Sequence, residues 1–307
     1  MREMSRILVV NAGSTSLKLS VVDGERADAV ESLDDVPAGI DAVGHRVVHG
    51  GRHFGDAARI DEEVVERIRE LAALAPLHTE PALRGIAEAR AGLPGVPHVA
   101  VFDIFFHRTM PEEASTYAIP RRWREEWGIR RYGFHGLAVA SVADQVRVSR
   151  LVVCHLGGGC SVTAVQDGRS VDTTMGFSPL EGVPMATRSG SVDPGLVLYL
   201  LREHGLTHAE LDEVLEHESG LAALGGLDDP LGFGVFTYRV AQAAAGMAMA
   251  LGGIDTLAFS GGVGENRRDV REAVAERLRF LGGFAVEVVP AREDIIVARH
   301  VRALLGG

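Results

Sequence analysis

One short pattern occurs twice in this sequence, and the repeat limits the folds open to the chain. Residues 7–24 (ILVVNAGSTSLKLSVVDG) and 151–168 (LVVCHLGGGCSVTAVQDG) each run from an aliphatic strand through a Gly/Ser turn into a second strand ending in Asp-Gly. Superposed without a gap, 144 residues apart, Val9 falls on Val153, Gly13 on Gly157, Val21 on Val165 and Asp23-Gly24 on Asp167-Gly168. Agreement of this kind points to an internal duplication. The turns suit phosphate, because glycine admits positive φ and lets a ligand approach the backbone closely. Successive backbone N–H groups, the hydroxyls of Ser14, Thr15 and Ser16 and the Lys18 ammonium all complement phosphate oxygens. Two ordinary β-turns are the plainer reading of the same residues.

A length of 307 residues is long for one simple core and comfortable for two lobes with a cleft. The net charge of −11 argues against broad binding to nucleic acid or to an anionic membrane, so an anionic ligand would need local arginines. Cys154 and Cys160, the two cysteines, do not make a four-ligand metal set and read as buried small side chains. No signal-peptide core follows Met1 and no apolar run is long enough to span a bilayer, so a cytoplasmic, reduced setting is expected.

Between the repeats the pattern alternates. Residues 41–51 read as a strand entering a Gly-Gly turn, and residues 61–74 as a helix capped by Asp61 with Val64, Val65, Ile68 and Leu71 on one face. A second helix is predicted over 79–91, with Pro81 near its first turn. The strand 98–102 ends in Asp103, at the kind of position where open α/β sheets gather ligand-binding residues. Further on, 134–146 suggests a helix, and Thr207 to Glu210 matches a capping box. Residues 219–234 read as an irregular loop and 236–251 as a buried Ala-rich helix. The strand 256–260 leads to a Gly-rich turn, 261–266, in front of a helix over 267–281, a favourable place for a nucleotide. The turn is neither a Walker loop nor a GxGxxG fingerprint. A last helix, 293–304, carries Glu293 and Asp294 in its first turn. The expected fold is α/β, with one lobe formed by residues 1–105 plus about 292–307 and the other by 106–291.

Three glycine-rich strand turns, two of them related by duplication, resemble the superfamily of actin, sugar kinases and heat-shock chaperones. That likeness implies two actin-like, ribonuclease-H-like lobes with a nucleotide cleft between them. NAGSTSLK (11–18), HRVVHGG (45–51), APLH (75–78), VFD (101–103), RRYGFHG (130–136), CHLGGG (154–159), MGFSPLEG (175–182), TRSG (187–190) and GVGEN (262–266), in this order over nearly the whole chain, resemble the acetate kinase family. The resemblance implies magnesium-dependent, reversible phosphoryl transfer between ATP and acetate, giving acetyl phosphate and ADP, in a homodimer. Propionate or another short-chain acid is the alternative acceptor.

By the same resemblance Arg46 and Arg188 are the two active-site arginines, and His135 bonds the transferring phosphoryl group. Guanidinium groups grip carboxylate and phosphoryl oxygens through paired donors. Arg46 also lies in an otherwise apolar strand beside Val43, Val47 and Val48, where an idle charge is costly. A carboxylate acceptor is already ionised and needs no strong base, which casts Asp103 as a positioning or metal-linked residue. Val48, Leu77, Phe134 and Pro179 match the family's pocket for the substrate methyl. Lys18, His155, Leu156, Gly157, Gly158, Gly159, Gly262, Val263, Gly264, Glu265 and Asn266 match its nucleotide contacts, and His78 is a further candidate for the cleft. Asn11 and Glu293 match its magnesium site.

The chain also departs from the family. The segments 24–45 and 226–236 are short, and Leu227-Asp-Asp-Pro230 lacks the Asp-x-Arg element expected against adenosine. Leu137 to Val139, Gly158 and Ala186 replace polar or smaller residues. The rival reading in another class is a non-catalytic nucleotide-binding relative. A sugar kinase would need a base for a hydroxyl and a polar pocket.

Overall fold

The computed structural model describes residues 6–12, 17–74 and 76–306, the side chains of residues 73–78 excepted. Its strands are β1 (Arg6–Ala12), β2 (Leu17–Asp23), β3 (Arg26–Val30), β4 (Ala42–Val47), β5 (Ala57–Arg59), β6 (His98–Phe102), β7 (Arg150–Leu156), β8 (Cys160–Gln166), β9 (Arg169–Thr173), β10 (Thr256–Ser260) and β11 (Ala285–Val288). Its helices are α1 (Glu62–Glu70), α2 (Pro76–Gly92), α3 (Glu112–Ser115), α4 (Arg121–Glu125), α5 (Gly136–Val146), α6 (Pro194–Glu203), α7 (His208–His217), α8 (Pro230–Ala250), α9 (Gly261–Asn266), α10 (Arg268–Arg277) and α11 (Glu293–Gly306). The chain divides into two compact units: Met1–Phe106 with Gly136–Ser141 and Arg292–Gly307, and His107–His135 with Val142–Ala291. The short Gly136–Ser141 stretch thus groups with the first unit, whereas the sequence boundary ran unbroken from 106 to 291.

In the first unit the strands lie in the order β3-β2-β1-β4-β6-β5, with β1, β4 and β6 parallel. Alternate residues of β1 serve opposite faces, as the two-residue period of a strand requires. Ile7 and Val9 join Leu137 of α5 and Ile295, Val297 and Val301 of α11 in one core. Leu8 and Val10 join Leu19, Val43 and Ala89 of α2 in the other. Both faces are covered, which is why β1 reads as an apolar run over Ile7 to Val10.

The second unit repeats the plan, in the order β11-β10-β7-β8-β9 with β7, β10 and β11 parallel. The duplication therefore extends past the hairpins: an antiparallel meander, then two parallel strands added beside its first strand. The ungapped superposition holds only for the first strand of each copy. Ala12 pairs with Leu17, but Leu156 pairs with Cys160, so the second connection is one residue shorter. Beyond it Asp23 is equivalent to Gln166, each closing a two-residue turn, to Arg26 and to Arg169. Asp167 and Gly168 are both central turn residues, at φ of 49° and 77°, the pairing that a tight hairpin with right-handed twist demands. Ser14, Thr15 and Ser16, with Gly13, lie outside the described residues.

Local signals mark several helix starts. Asp61 accepts from Val64 N at the start of α1, and Thr207 and Glu210 form the reciprocal capping box of α7. Some boundaries move. α1 gives way at Leu71 to a 3₁₀ turn, α2 begins at Pro76 with Pro81 inside it, and the strand β5 was not anticipated. The supposed loop over 219–234 ends early, because Asp229 caps α8 through Leu231 N and Gly232 N with Pro230 in the first turn. The Gly-rich stretch 261–266 is itself the short helix α9, and α10 starts only at Arg268.

Candidate active site

In the first unit candidate side chains gather where β1, β4 and β6 end. Arg46, near the end of β4, donates from Nη2 to Asp103 Oδ2 at 2.7 Å and from Nη1 to Asn11 Oδ1 at 3.2 Å. Its Nε lies 3.7 Å from Glu293 Oε2 and has no hydrogen-bond partner among the described residues, while Asn11 Nδ2 donates to that same oxygen at 3.1 Å. Burial works against the charge on Arg46, but Asp103 and Glu293 outweigh it and push its pKa up. Asp103, 1% exposed, follows β6 directly, and its other oxygen accepts from Leu137 N at 3.0 Å. It thereby joins Arg46 to the first turn of α5, a positively polarised position that suits a carboxylate. Lys18 stands opposite Asn11 in the β1/β2 pairing and is exposed, and Val48 is buried.

Asn11 and Glu293, from opposite ends of the chain, offer oxygen donors of the kind magnesium takes. Among the described residues no group of three or more His, Cys, Asp or Glu is arranged to hold a metal by protein ligands alone. A carboxylate and an amide, completed by water and phosphate oxygens, fit the way magnesium sits beside nucleotides.

In the second unit His135 adopts left-handed backbone, φ 59°, immediately before α5, a strained state for a residue with a side chain. Its Nδ1 meets Ser161 Oγ at 3.0 Å, and its ring lies 4.7 Å from that of His155. His155 Nδ1 in turn meets Ser260 Oγ at 2.8 Å. Between β7 and β8, Gly157 N donates to Gly159 O. A Cβ on Gly159 would stand 3.1 Å from His135 Nε2 and 3.5 Å from Arg188 Nη1, and one on Gly157 would stand 3.8 Å from Gly262 N. The glycine loop, the two histidines, Arg188 and the start of α9 therefore converge. Leu156 and Gly264 are buried, Val263 half-buried, and Glu265 and Asn266 turn back on α9, bonding Gly261 N and Gly262 O.

Arg188 makes an ion pair with Glu216 of α7, Nε to Oε2 at 3.0 Å, and donates from Nη1 to Pro179 O at 3.3 Å. Phe134 and Pro179 are buried in this unit. The side chains of Leu77 and His78 lie outside the described residues.

Sequence reasoning missed Ser161, Ser260 and Glu216. The serines flank the glycine-rich segments and could have been found there. Glu216 carries no local signal, since its partner is 28 residues away. Leu227-Asp228, read as acids without an arginine, do meet one: Arg267 donates to Asp228 Oδ1 and to Leu227 O. Cys154 and Cys160 are free and buried, as expected, and burial pushes the Cys160 thiol up to about 12.

Residues 29–295 match the model of the acetokinase family. The chain is 40% identical to an acetate kinase of Deinococcus radiodurans, over 96% of this chain and 86% of that protein. It is 36% identical to acetate kinase 2 of Neisseria meningitidis over 98% of both. That alignment runs over 392 positions against 307 residues here, so the relative carries segments this chain lacks. Among solved structures, a propionate kinase from Francisella tularensis superposes with a TM-score of 0.88 at 30% identity, covering 96% of this chain and 98% of that one. Acetate kinase from Porphyromonas gingivalis gives 0.86 at 29% identity, covering 98% and 100%. A buried arginine-carboxylate-amide cluster in one unit, a glycine loop beside paired histidines and an arginine in the other, and agreement with these kinases over nearly the full length place the chain in the acetokinase family.

Proposed function

We propose that this protein is an acetate kinase, transferring the terminal phosphoryl group of ATP to the carboxylate of acetate and running the reaction in reverse. The observation that carries the reading is the company kept by Gly159: a phosphate-type loop on which even a Cβ would press against His135, with Arg188 just beyond. Phosphoryl transfer to a carboxylate brings negative charges together, so positioning and charge neutralisation do most of the work. Arg46 suits the acceptor carboxylate, its guanidinium held by Asp103 and Asn11. Arg188 and His135 suit the transferring phosphoryl oxygens. Asp103 is committed to Arg46 and Leu137 N, which supports a positioning role over that of a base.

Asn11 and Glu293 would hold Mg²⁺, which supplies positive charge to the phosphates. Lys18, the loop His155–Gly159 and α9 are assigned to the nucleotide, with Arg267 beside Leu227-Asp228 at the shortened segment. Val48, Leu77, Phe134 and Pro179 are assigned to the substrate methyl. Acetate is the first choice of acid and propionate the second, since one structural relative is a propionate kinase.

No described helix is long and apolar enough to cross a membrane, which is compatible with the cytoplasmic setting assigned here. α6 exposes Leu196, Leu198 and Tyr199, and α8 exposes Leu231, Tyr238 and Met249. We assign these exposed apolar side chains to a homodimer contact; sedimentation as a monomer at working concentration would remove that assignment. The activity is tested by ATP- and Mg²⁺-dependent acyl phosphate formation, trapped as hydroxamate, with acetate, propionate and butyrate in parallel. Turnover with one of these acids is expected; folded protein inert toward all three would favour the non-catalytic relative.

A further inference from the structure

We infer that Glu216 is a positioning residue for the phosphoryl-handling Arg188, and that the last turn of α7 is built as the mount for the loop bearing that arginine. The inference rests on the kinase reading above and adds to it a residue from outside the glycine-rich motifs.

The loop 185–189 is fastened to the end of α7 and the residues after it. Thr187 Oγ1 donates to Glu216 O at 2.8 Å, and Ser189 N to Leu215 O at 3.0 Å. In return Ser219 N donates to Thr187 O, Leu221 N to Met185 O and Ala222 N to Ala186 O. Gly220, at φ 62°, passes so close that a Cβ would stand 2.3 Å from Met185 O and 2.5 Å from Arg188 O. Backbone bonds therefore run on both sides of Arg188.

The side chain completes the mount. Glu216 Oε2 lies 3.0 Å from Arg188 Nε, with 13% and 16% of the two side chains exposed. The contact is one of charge, not of an aligned hydrogen bond, for Glu216 Oε2 is buried and has no hydrogen-bond partner among the described residues. Leaving a carboxylate there is costly unless its charge is used. Held on its Nε side, the guanidinium turns Nη1 toward Pro179 O, Met185 Sδ and Gly159. A planar group fixed along one edge loses little further freedom on gripping phosphoryl oxygens. The charged groups facing Glu216 are Arg188, Asp212 one turn earlier on α7, and His217; burial raises its pKa and Arg188 opposes that rise.

The experiment compares wild type, Glu216→Ala and Glu216→Gln by steady-state kinetics and thermal melts, alongside the ¹⁵N arginine Nε signal of Arg188, identified by its disappearance in Arg188→Lys. Glu216→Ala is expected to lower kcat about tenfold or more while KM for ATP stays within about threefold, the pattern of a lost transition-state contact. Glu216→Gln, whose amide oxygen still faces Nε, is expected to recover part of the loss and to lack the acid-side fall in kcat that protonation of Glu216 gives wild type. The Arg188 Nε signal should move in both variants. Wild-type kcat in Glu216→Ala, or an unmoved Nε signal, overturns the inference. So does a parallel loss of kcat, KM and melting temperature with no recovery in Glu216→Gln, which marks a purely structural residue. Should wild type itself make no acyl phosphate while the Nε signal moves, the kinase reading fails and the mount stands.

Discussion

Arg46 and Asp103, 57 residues apart in sequence, meet at 2.7 Å, and the second Asp103 oxygen takes Leu137 N. One carboxylate thus orients the arginine and anchors α5. Asp103→Ala leaves Arg46 buried with its main counter-charge gone and should cost about 3–5 kcal/mol of stability. Asp103→Asn, which can still accept from Leu137 N, should cost less, yet both should lower kcat by roughly a hundredfold as Arg46 loses its orientation. Urea unfolding and acyl phosphate formation check the two parts separately; an Asp103→Asn enzyme with wild-type kcat would contradict the positioning role.

Gly159→Ala places a methyl 3.1 Å from His135 Nε2 and 3.2 Å from Cε1. Gly159 needs no positive φ, so the substitution should change stability by only about 1 kcal/mol. Activity should fall about tenfold or more because the imidazole must shift. Melting temperature and kcat, measured together, separate the two effects.

His45 supplies a pH test. It is buried beside His98, with its Nε2 2.9 Å from His98 Nδ1, and burial first, then His98 and Arg90, lower its pKa to about 3. The unfolded chain takes up a proton near pH 6.5 that the folded chain refuses, so stability is unaffected above that pH and falls as pH drops from about 6.5 toward 3. The contribution is about 1.4 kcal/mol per pH unit for this histidine. His45→Gln should flatten the loss measured by urea unfolding between pH 7 and 5; an unchanged slope would contradict it.

Selectivity among acids tests the apolar pocket assigned to Val48, Leu77, Phe134 and Pro179. Each added methylene should cost roughly 1–3 kcal/mol in kcat/KM, so butyrate should fall well below acetate. Equal kcat/KM for the three acids would dissolve the assignment.

Much of the fold was legible because strands and caps are local. The aliphatic runs at 7–12 and 151–156, the Asp61 cap and the Thr207 box all appear as drawn. Other features depended on distant partners. Gly232 and Gly234 made the start of α8 look like loop, and the cap of Asp229 with Pro230 behind it was outvoted by composition. The one-residue slip between the hairpins was invisible because both copies end in Asp-Gly. Arg46, Asp103, His135 and Arg188 are candidates because of the motifs they stand in, whereas Glu216 and Arg267 pair across 28 and 39 residues and leave no periodic trace.

Phosphoryl exchange between a carboxylate and a nucleotide is the activity expected of this chain. It is tested most directly in reverse, as ATP formed from acetyl phosphate and ADP with Mg²⁺, by wild type and by Arg188→Ala. Wild type should make ATP, with a loss of roughly a hundredfold or more in the variant. Folded wild type that binds ADP and makes no ATP, or a variant as fast as wild type, would contradict it.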